Sequence, residues 1–273
     1  MATYVFSDVH GHAGALKKVF ERVSPSDDDR IVMLGDMIDR GPDPVGVMRF
    51  CRELTEHGAT VLRGNHEDLM LSFFNNPQNP DNYVNWAING GATTAKGLDA
   101  LKADEMKDLL DWVAGLPLSD FERVGDRLYL LTHAGIMPPK PVPAVALDEQ
   151  AKDDDRIAAV LADQSSDDLI WVREDFWGQP TGLVGPDGKG IIVVAGHTPT
   201  PFLDNMADRP DRSGVGEDGL GQMVRVGACK QTGGIADRWD IDAGCAGGHG
   251  FGKLLLLRLD DGREFYEPVR EGE

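Results

Sequence analysis

Cysteine is scarce. Cys51, Cys229 and Cys245 are the only three in 273 residues, and none stands in a CxxC or other paired spacing. That excludes a disulfide framework and a zinc–thiolate site, and it fits reduced thiols in a cytoplasmic protein. Long apolar runs are missing as well: none approaches the roughly 18–20 residues that span a bilayer as a helix. A strand-like run begins at Thr3, which leaves no room for a signal peptide. Basic charge is outnumbered, with 27 Lys and Arg against 46 Asp and Glu, a net charge of −19. A nucleic acid or an anionic membrane needs a positive face, so neither is expected as a partner. The acid surplus reads as a solvated surface. It also sets a condition: a phosphate-bearing substrate needs metal ions or buried arginines to overcome that field.

Against these absences, the chain has ordinary globular usage, with 41% hydrophobic and 27% charged residues. Its length suits one domain over 1–273 with a full core. The 33 glycines have no collagen period and mark tight turns.

The first third alternates strand and helix. TYVF, RIVMLGD and ATVLRGN read as strands; Leu16, Val19, Phe20 and Val23 mark one helix, and 45–56 another. This βαβαβ order predicts a parallel sheet with crossover helices. The middle reads as helical, over 66–74, around Trp86 and over 104–114. SDFERV and RLYLLTH follow as strands, then a Pro-rich loop at 138–145, a short helix over 154–163 and the buried strand IIVVAGH. Residues 204–236 are rich in Gly, Asp and Arg with little periodicity, and read as a loop or flap. WDIDAG, KLLLLRL and REFYEP read as closing antiparallel strands.

Nearly every strand in this reading ends in a metal-type ligand. Asp8 and His10 follow the first, Asp36 the second, and Asn65 and His66 the third; His133 and His197 end two later ones. In open α/β sheets ligands bind beyond the carboxyl ends of the strands, so this pattern gathers the set at one edge. Mixed carboxylate, imidazole and amide donors suit Mn, Fe, Zn or Mg, and a bridging carboxylate can hold two ions for phosphoryl transfer.

SDVHGH (7–12), GDMIDRG (35–41), GNHE (64–67), THAG (132–135) and GHTP (196–199) resemble the calcineurin-like metallophosphoesterases. Within that superfamily they resemble the phosphoprotein phosphatase branch. NGG (89–91), LIWVRE (169–174) and WDIDAG (239–244) extend the likeness toward the phage lambda-type bacterial serine/threonine phosphatases. The resemblance implies an α/β fold, a central sandwich of two mixed sheets flanked by helices. It implies two divalent ions, Mn(II) first among them. One would be held by Asp8, His10 and Asp36, the second by Asp36, Asn65, His133 and His197. A metal-bridging hydroxide would attack phosphorus in line. His66 would protonate the leaving oxygen with Asp39 orienting its ring, and Arg40 and Arg173 would grip the phosphate.

On this resemblance the expected activity is hydrolysis of phosphomonoesters, phosphoserine or phosphothreonine first and phosphotyrosine second, in proteins. The alternative is a symmetrical dinucleoside tetraphosphatase or a broader phosphoesterase acting on nucleotides or diesters. Asp39 favours the first, because tetraphosphatases often lack that acid. Thr198 and Pro199 replace the GHxH ending of the diesterase branch. The segment 244–253 departs from the pattern, with extra glycines and His249, which either reaches the site or sits in an exposed loop.

Overall fold

The computed structural model describes residues 1–273. In chain order the elements are β1 (Thr3–Phe6), α1 (Ala13–Val23), β2 (Arg30–Met33), α2 (Pro44–Glu56), β3 (Thr60–Val61), α3 (Asn65–Asn75), α4 (Pro80–Ile88), α5 (Ala92–Asp99) and α6 (Ala103–Ala114). Then come β4 (Ser119–Val124), β5 (Arg127–Thr132), α7 (Asp153–Leu161), α8 (Ser166–Trp171), α9 (Glu174–Trp177), β6 (Ile191–Ala195), β7 (Val224–Val226), β8 (Arg238–Asp240), β9 (Lys253–Arg258) and β10 (Arg263–Pro268).

The strands form two five-stranded mixed sheets, ordered β10-β9-β1-β2-β3 and β4-β5-β6-β8-β7. β1, β2 and β3 run parallel, as the βαβαβ reading requires. The period of two explains how the sheets meet. In β9, Leu254 and Leu256 join the helix-side core, whereas Leu255 and Leu257 face the other sheet. In β6, Ile191 and Val193 face the helices of the second layer and Ile192 and Val194 face the first sheet. Both faces are buried, so the strands read as unbroken apolar runs rather than alternating ones. A slip of one residue would exchange the two faces, which pins the register and with it the strand ends.

Helix signals act locally. Asp43 caps α2 by accepting the Gly46 N–H at 2.9 Å, ahead of Pro44 at the first turn. Such a cap contributes about 1 kcal/mol. α1 buries Ala13, Leu16 and Val19 on one face.

Three readings of the sequence are corrected. The segment 204–236 contains β7, the edge strand of the second sheet, with Val224 and Val226 fully buried. Three residues between glycine-rich turns are too short to show a period, so a packed strand read as a flap. β8 pairs parallel with β6 and antiparallel with β7, and is not part of a closing hairpin. The strand in ATVLRGN is only Thr60–Val61, and α5, α8 and α9 were not anticipated as separate helices. No helix is long and apolar enough to cross a membrane.

Candidate metal centre and active site

The carboxyl ends of β1, β2, β5 and β6 and the start of α3 converge. Asp8, His10, Asp36, Asn65, His66, His133 and His197 are each at most 5% exposed. The turns that deliver them are strained. Eight non-glycine residues have positive φ, and six of these are Asp8, His10, Asp36, Asp39, Arg40 and His197. Each such residue costs of order 1–3 kcal/mol, and strain of this kind gathers at functional sites. Two glycines make the close approach possible. A Cβ on Gly64 would lie 2.2 Å from an Asp36 oxygen, and one on Gly196 would lie 2.2 Å from an Asp8 oxygen.

Asp36 lies between two groups of donors, His10 and His66 on one side and His133 and His197 on the other. Its Oδ2 is 3.4 Å from His10 Nε2, and its Oδ1 is 3.5 Å from His133 Nε2. His133 Nε2 is 2.9 Å from Asn65 Oδ1 and 3.2 Å from His197 Nδ1; His197 Nδ1 is 2.8 Å from the same oxygen. Ligands in adjacent positions around an ion at 2.0–2.2 Å sit about 3.0–3.5 Å apart, so these spacings suit a shared cation. Asp8 is steadied by its neighbours: Oδ2 accepts from the Ser7 hydroxyl and from the His197 N–H at 3.0 Å. Its Oδ1 faces His10 Nε2 at 3.9 Å.

The donor set fits metal ions on electronic grounds. His10 Nδ1 donates to the Ile38 carbonyl and His133 Nδ1 to the Leu34 carbonyl, both at 2.9 Å. That leaves a lone pair on each Nε2, aimed at the cluster. Burial pushes His10 and His197 well below the ordinary imidazole range and lowers His133, so all three are neutral donors at neutral pH. The His133 lone pair therefore faces the Asn65 oxygen with no hydrogen between them, a repulsion that a cation removes. Carboxyls are crowded here too. Burial raises Asp36, Asp240 and Asp242 well above the usual carboxylate range, with neighbouring acids adding to each shift. A divalent ion offsets such a concentration of buried acid.

This balance gives a pH prediction. The histidines are already neutral in metal-free protein, so at pH below the raised Asp36 value binding an ion displaces the Asp36 proton. Mn(II) affinity should fall as pH drops through the raised Asp36 value, by up to about tenfold per unit for each proton released. Calorimetry in two buffers of different ionisation enthalpy measures that release. Affinity that does not weaken as pH falls would contradict the assignment of Asp36 as the shared ligand.

His66 is anchored from behind while its Nε2 faces the cluster. Its Nδ1 is 2.7 Å from Asp39 Oδ2, and Asp39 also accepts from Trp86 Nε1 at 3.1 Å and Thr94 Oγ1 at 2.6 Å. A fully buried carboxylate with three donors is a rigid support for the ring. Arg40 reaches over the first of the two donor groups, with Nη1 3.3 Å from His10 Nε2 and Nη2 3.1 Å from His66 Nε2. Arg173 lies at the opposite rim, where Nη1 donates to the His197 carbonyl and Thr198 Oγ1, both at 3.1 Å. The structure thus brings together all ten residues singled out from the sequence.

Several supporting residues were missed. Glu67 accepts N–H groups from Asp36, Met37 and Gly64 at 2.8–2.9 Å and so fixes the turn that carries Asp36. It was visible in GNHE, but nothing in the spacing assigned it a role. Trp86 marked only the position of a helix, and Thr94 carried no signal. His249 is exposed, and its Nδ1 lies 3.3 Å from the Val269 carbonyl, which places it in a loop contact.

Known proteins resemble this chain in sequence and in fold. A symmetrical bis(5'-nucleosyl)-tetraphosphatase of Shewanella sp. (strain W3-18-1) is 33% identical over 194 residues; the match covers 67% of this chain and 62% of that protein. The protein of the same name from Erwinia tasmaniensis is 30% identical, with 99% of this chain and 98% of its own length matched. The solved structure of a putative diadenosine tetraphosphatase superposes with a TM-score of 0.55 at 19% identity, covering 99% of this chain and 94% of the other. A protein serine/threonine phosphatase from Saccharomyces cerevisiae gives 0.53 at 15% identity, covering 100% and 81%. These two likenesses show the shared fold. The model of the calcineurin-like phosphoesterase family matches residues 1–249, which hold all ten site residues. With its metal-type donors gathered where strand ends of both sheets converge and that match across nearly the whole chain, this protein belongs to the calcineurin-like phosphoesterases.

Proposed function

We propose that this phosphoesterase hydrolyses dinucleoside tetraphosphates symmetrically, using two divalent ions, with Mn(II) the favoured metal. The observation that carries this reading is the near-complete match to the Erwinia relative. The match runs over nearly the full length of both proteins, well beyond the short metal motifs. It favours the second of the two activities weighed from the sequence.

Asp8, His10, Asp36, Asn65, His133 and His197 would hold the ions, which polarise the phosphoryl oxygens and supply the nucleophile. Arg40 and Arg173 are set at opposite rims to hold phosphate oxygens, Arg40 with its fork turned into the site. His66 is held by Asp39 so that Nε2 faces the reacting group, where it can give a proton to the departing oxygen.

A second reading, hydrolysis of phosphomonoesters in proteins, is favoured by the Asp39–His66 contact at 2.7 Å. A serine or tyrosine leaving oxygen needs that proton far more than the phosphate oxygen of a nucleoside diphosphate does. A panel with Mn(II) separates the two: diadenosine tetraphosphate, phosphopeptides, p-nitrophenyl phosphate and its bis ester. We expect the highest kcat/KM on the dinucleotide, with adenosine diphosphate as the sole nucleotide product. A clear preference for phosphopeptides would establish the second reading, and a mixture of mono- and triphosphate products would refute symmetrical cleavage.

A further inference from the structure

Beside the metal donors, on the Arg40 side, lies an open pocket of about 390 Å³ lined by Arg40, Pro199, Phe202, Ala246, Gly247 and Phe251. Phe202 follows the GHTP turn and is 54% exposed. Phe251 comes from the glycine-rich 244–253 loop, and the two rings sit 5.9 Å apart, tilted by 34°. That loop is built around the second ring. A Cβ on Gly247 would lie 2.1 Å from the Phe251 ring and one on Gly244 would lie 2.9 Å from it. The extra glycines that set this segment apart therefore have a physical role: they let the ring lie against the backbone and hold it at the edge of the site.

An exposed aromatic on an acidic, well-solvated surface calls for an occupant. One wall of this pocket is the arginine whose guanidinium faces the metal donors. A ligand filling it therefore has an anionic end at Arg40 and a flat apolar end on the rings. We propose that the Phe202–Phe251 shelf is a nucleobase subsite, stacking the base of a nucleoside polyphosphate whose phosphates lie at Arg40 and the metal centre. The inference rests on the dinucleotide reading above and adds the residues that recognise the nucleoside. Nothing in the reaction requires these rings, so they act on affinity alone.

The test compares adenosine diphosphate with pyrophosphate, which has the same anionic end and no base. Binding to the Mn-loaded protein is measured by calorimetry for the wild type, Phe202→Ala and Phe202→Trp. Loss of one base–aromatic stack is worth about tenfold in affinity. We expect the wild type to bind adenosine diphosphate at least that much more tightly than pyrophosphate. Phe202→Ala should close the gap while pyrophosphate binding stays constant, and Phe202→Trp should keep it. Equal affinities in the wild type, or a gap that survives Phe202→Ala, would overturn the shelf. The two readings fail separately. A protein that splits the dinucleotide but has no gap loses the subsite alone. One that has the gap but leaves the dinucleotide intact keeps the subsite and loses the proposed reaction.

Discussion

His66→Ala is expected to lower kcat by about 10²–10⁴-fold while leaving bound metal unchanged. The reason is where the ring is held. Nδ1 is engaged by Asp39 at 2.7 Å, which leaves Nε2 as the atom facing the site. Asp39→Asn should act in the same direction through the ring, because the amide orients the imidazole less well and carries no compensating charge. The loss should shrink as the leaving group improves: large for a phosphoserine peptide, and much smaller for a dinucleoside tetraphosphate and for p-nitrophenyl phosphate, whose leaving oxygens are both weakly basic. That gradient distinguishes proton donation from a structural defect. His66 also stands within ligand distance of His10 and Asp36, so a competing role is specific. If His66→Ala strips an ion and leaves kcat per bound metal intact, the ring is a ligand and the proton donor lies elsewhere.

Asp36→Asn should have the larger effect. Asp36 is the one residue common to both donor groups, so losing its charge weakens both ion sites at once. Metal-based stabilisation of a phosphoryl transition state is worth several kcal/mol, and the expected loss is on the order of 10³-fold or more. The fold should survive. Asparagine keeps an oxygen for the His66 N–H, which donates to Asp36 Oδ1 at 3.1 Å. It also removes a buried acid from beside Asp8 and Glu67, whose charges help raise the Asp36 carboxyl. The metal-free variant should therefore melt no lower than the metal-free wild type, and elemental analysis should find it depleted of metal. An inactive variant that has unfolded would leave the role of Asp36 to Asp36→Glu, which keeps the charge but displaces it and should recover only part of the metal.

The convergence of the candidate ligands was legible in the sequence because the fold turns linear order into place. Each parallel strand in the first half carries its ligand at the same end, so the spacing of Asp8, Asp36 and Asn65 is itself a map of the sheet edge. His133 and His197 were found by the same rule at the ends of β5 and β6. The supports were not legible, because they arrive from elsewhere in the chain. Trp86 and Thr94 reach Asp39 from α4 and α5, across 47 and 55 residues, and neither type announces a polar role. β7 was hidden by its brevity. The direction of β8 depends on which strand lies beside it, and a three-residue pattern does not encode that. The glycines around Phe251 stood out as a departure from the family pattern, but only the packed ring explains them.

The central claim is a two-ion phosphoesterase centre sharing Asp36, and stepwise addition of Mn(II) to chelator-stripped protein tests it most directly. Binding is read by calorimetry and turnover with p-nitrophenyl phosphate, so the outcome does not depend on the physiological substrate. The account predicts two ions per chain, hydrolysis that rises with occupancy of the second, and loss of both in Asp36→Asn. Full activity in protein shown by elemental analysis to be free of metal would contradict it, as would saturation of turnover at one ion that persists in Asp36→Asn.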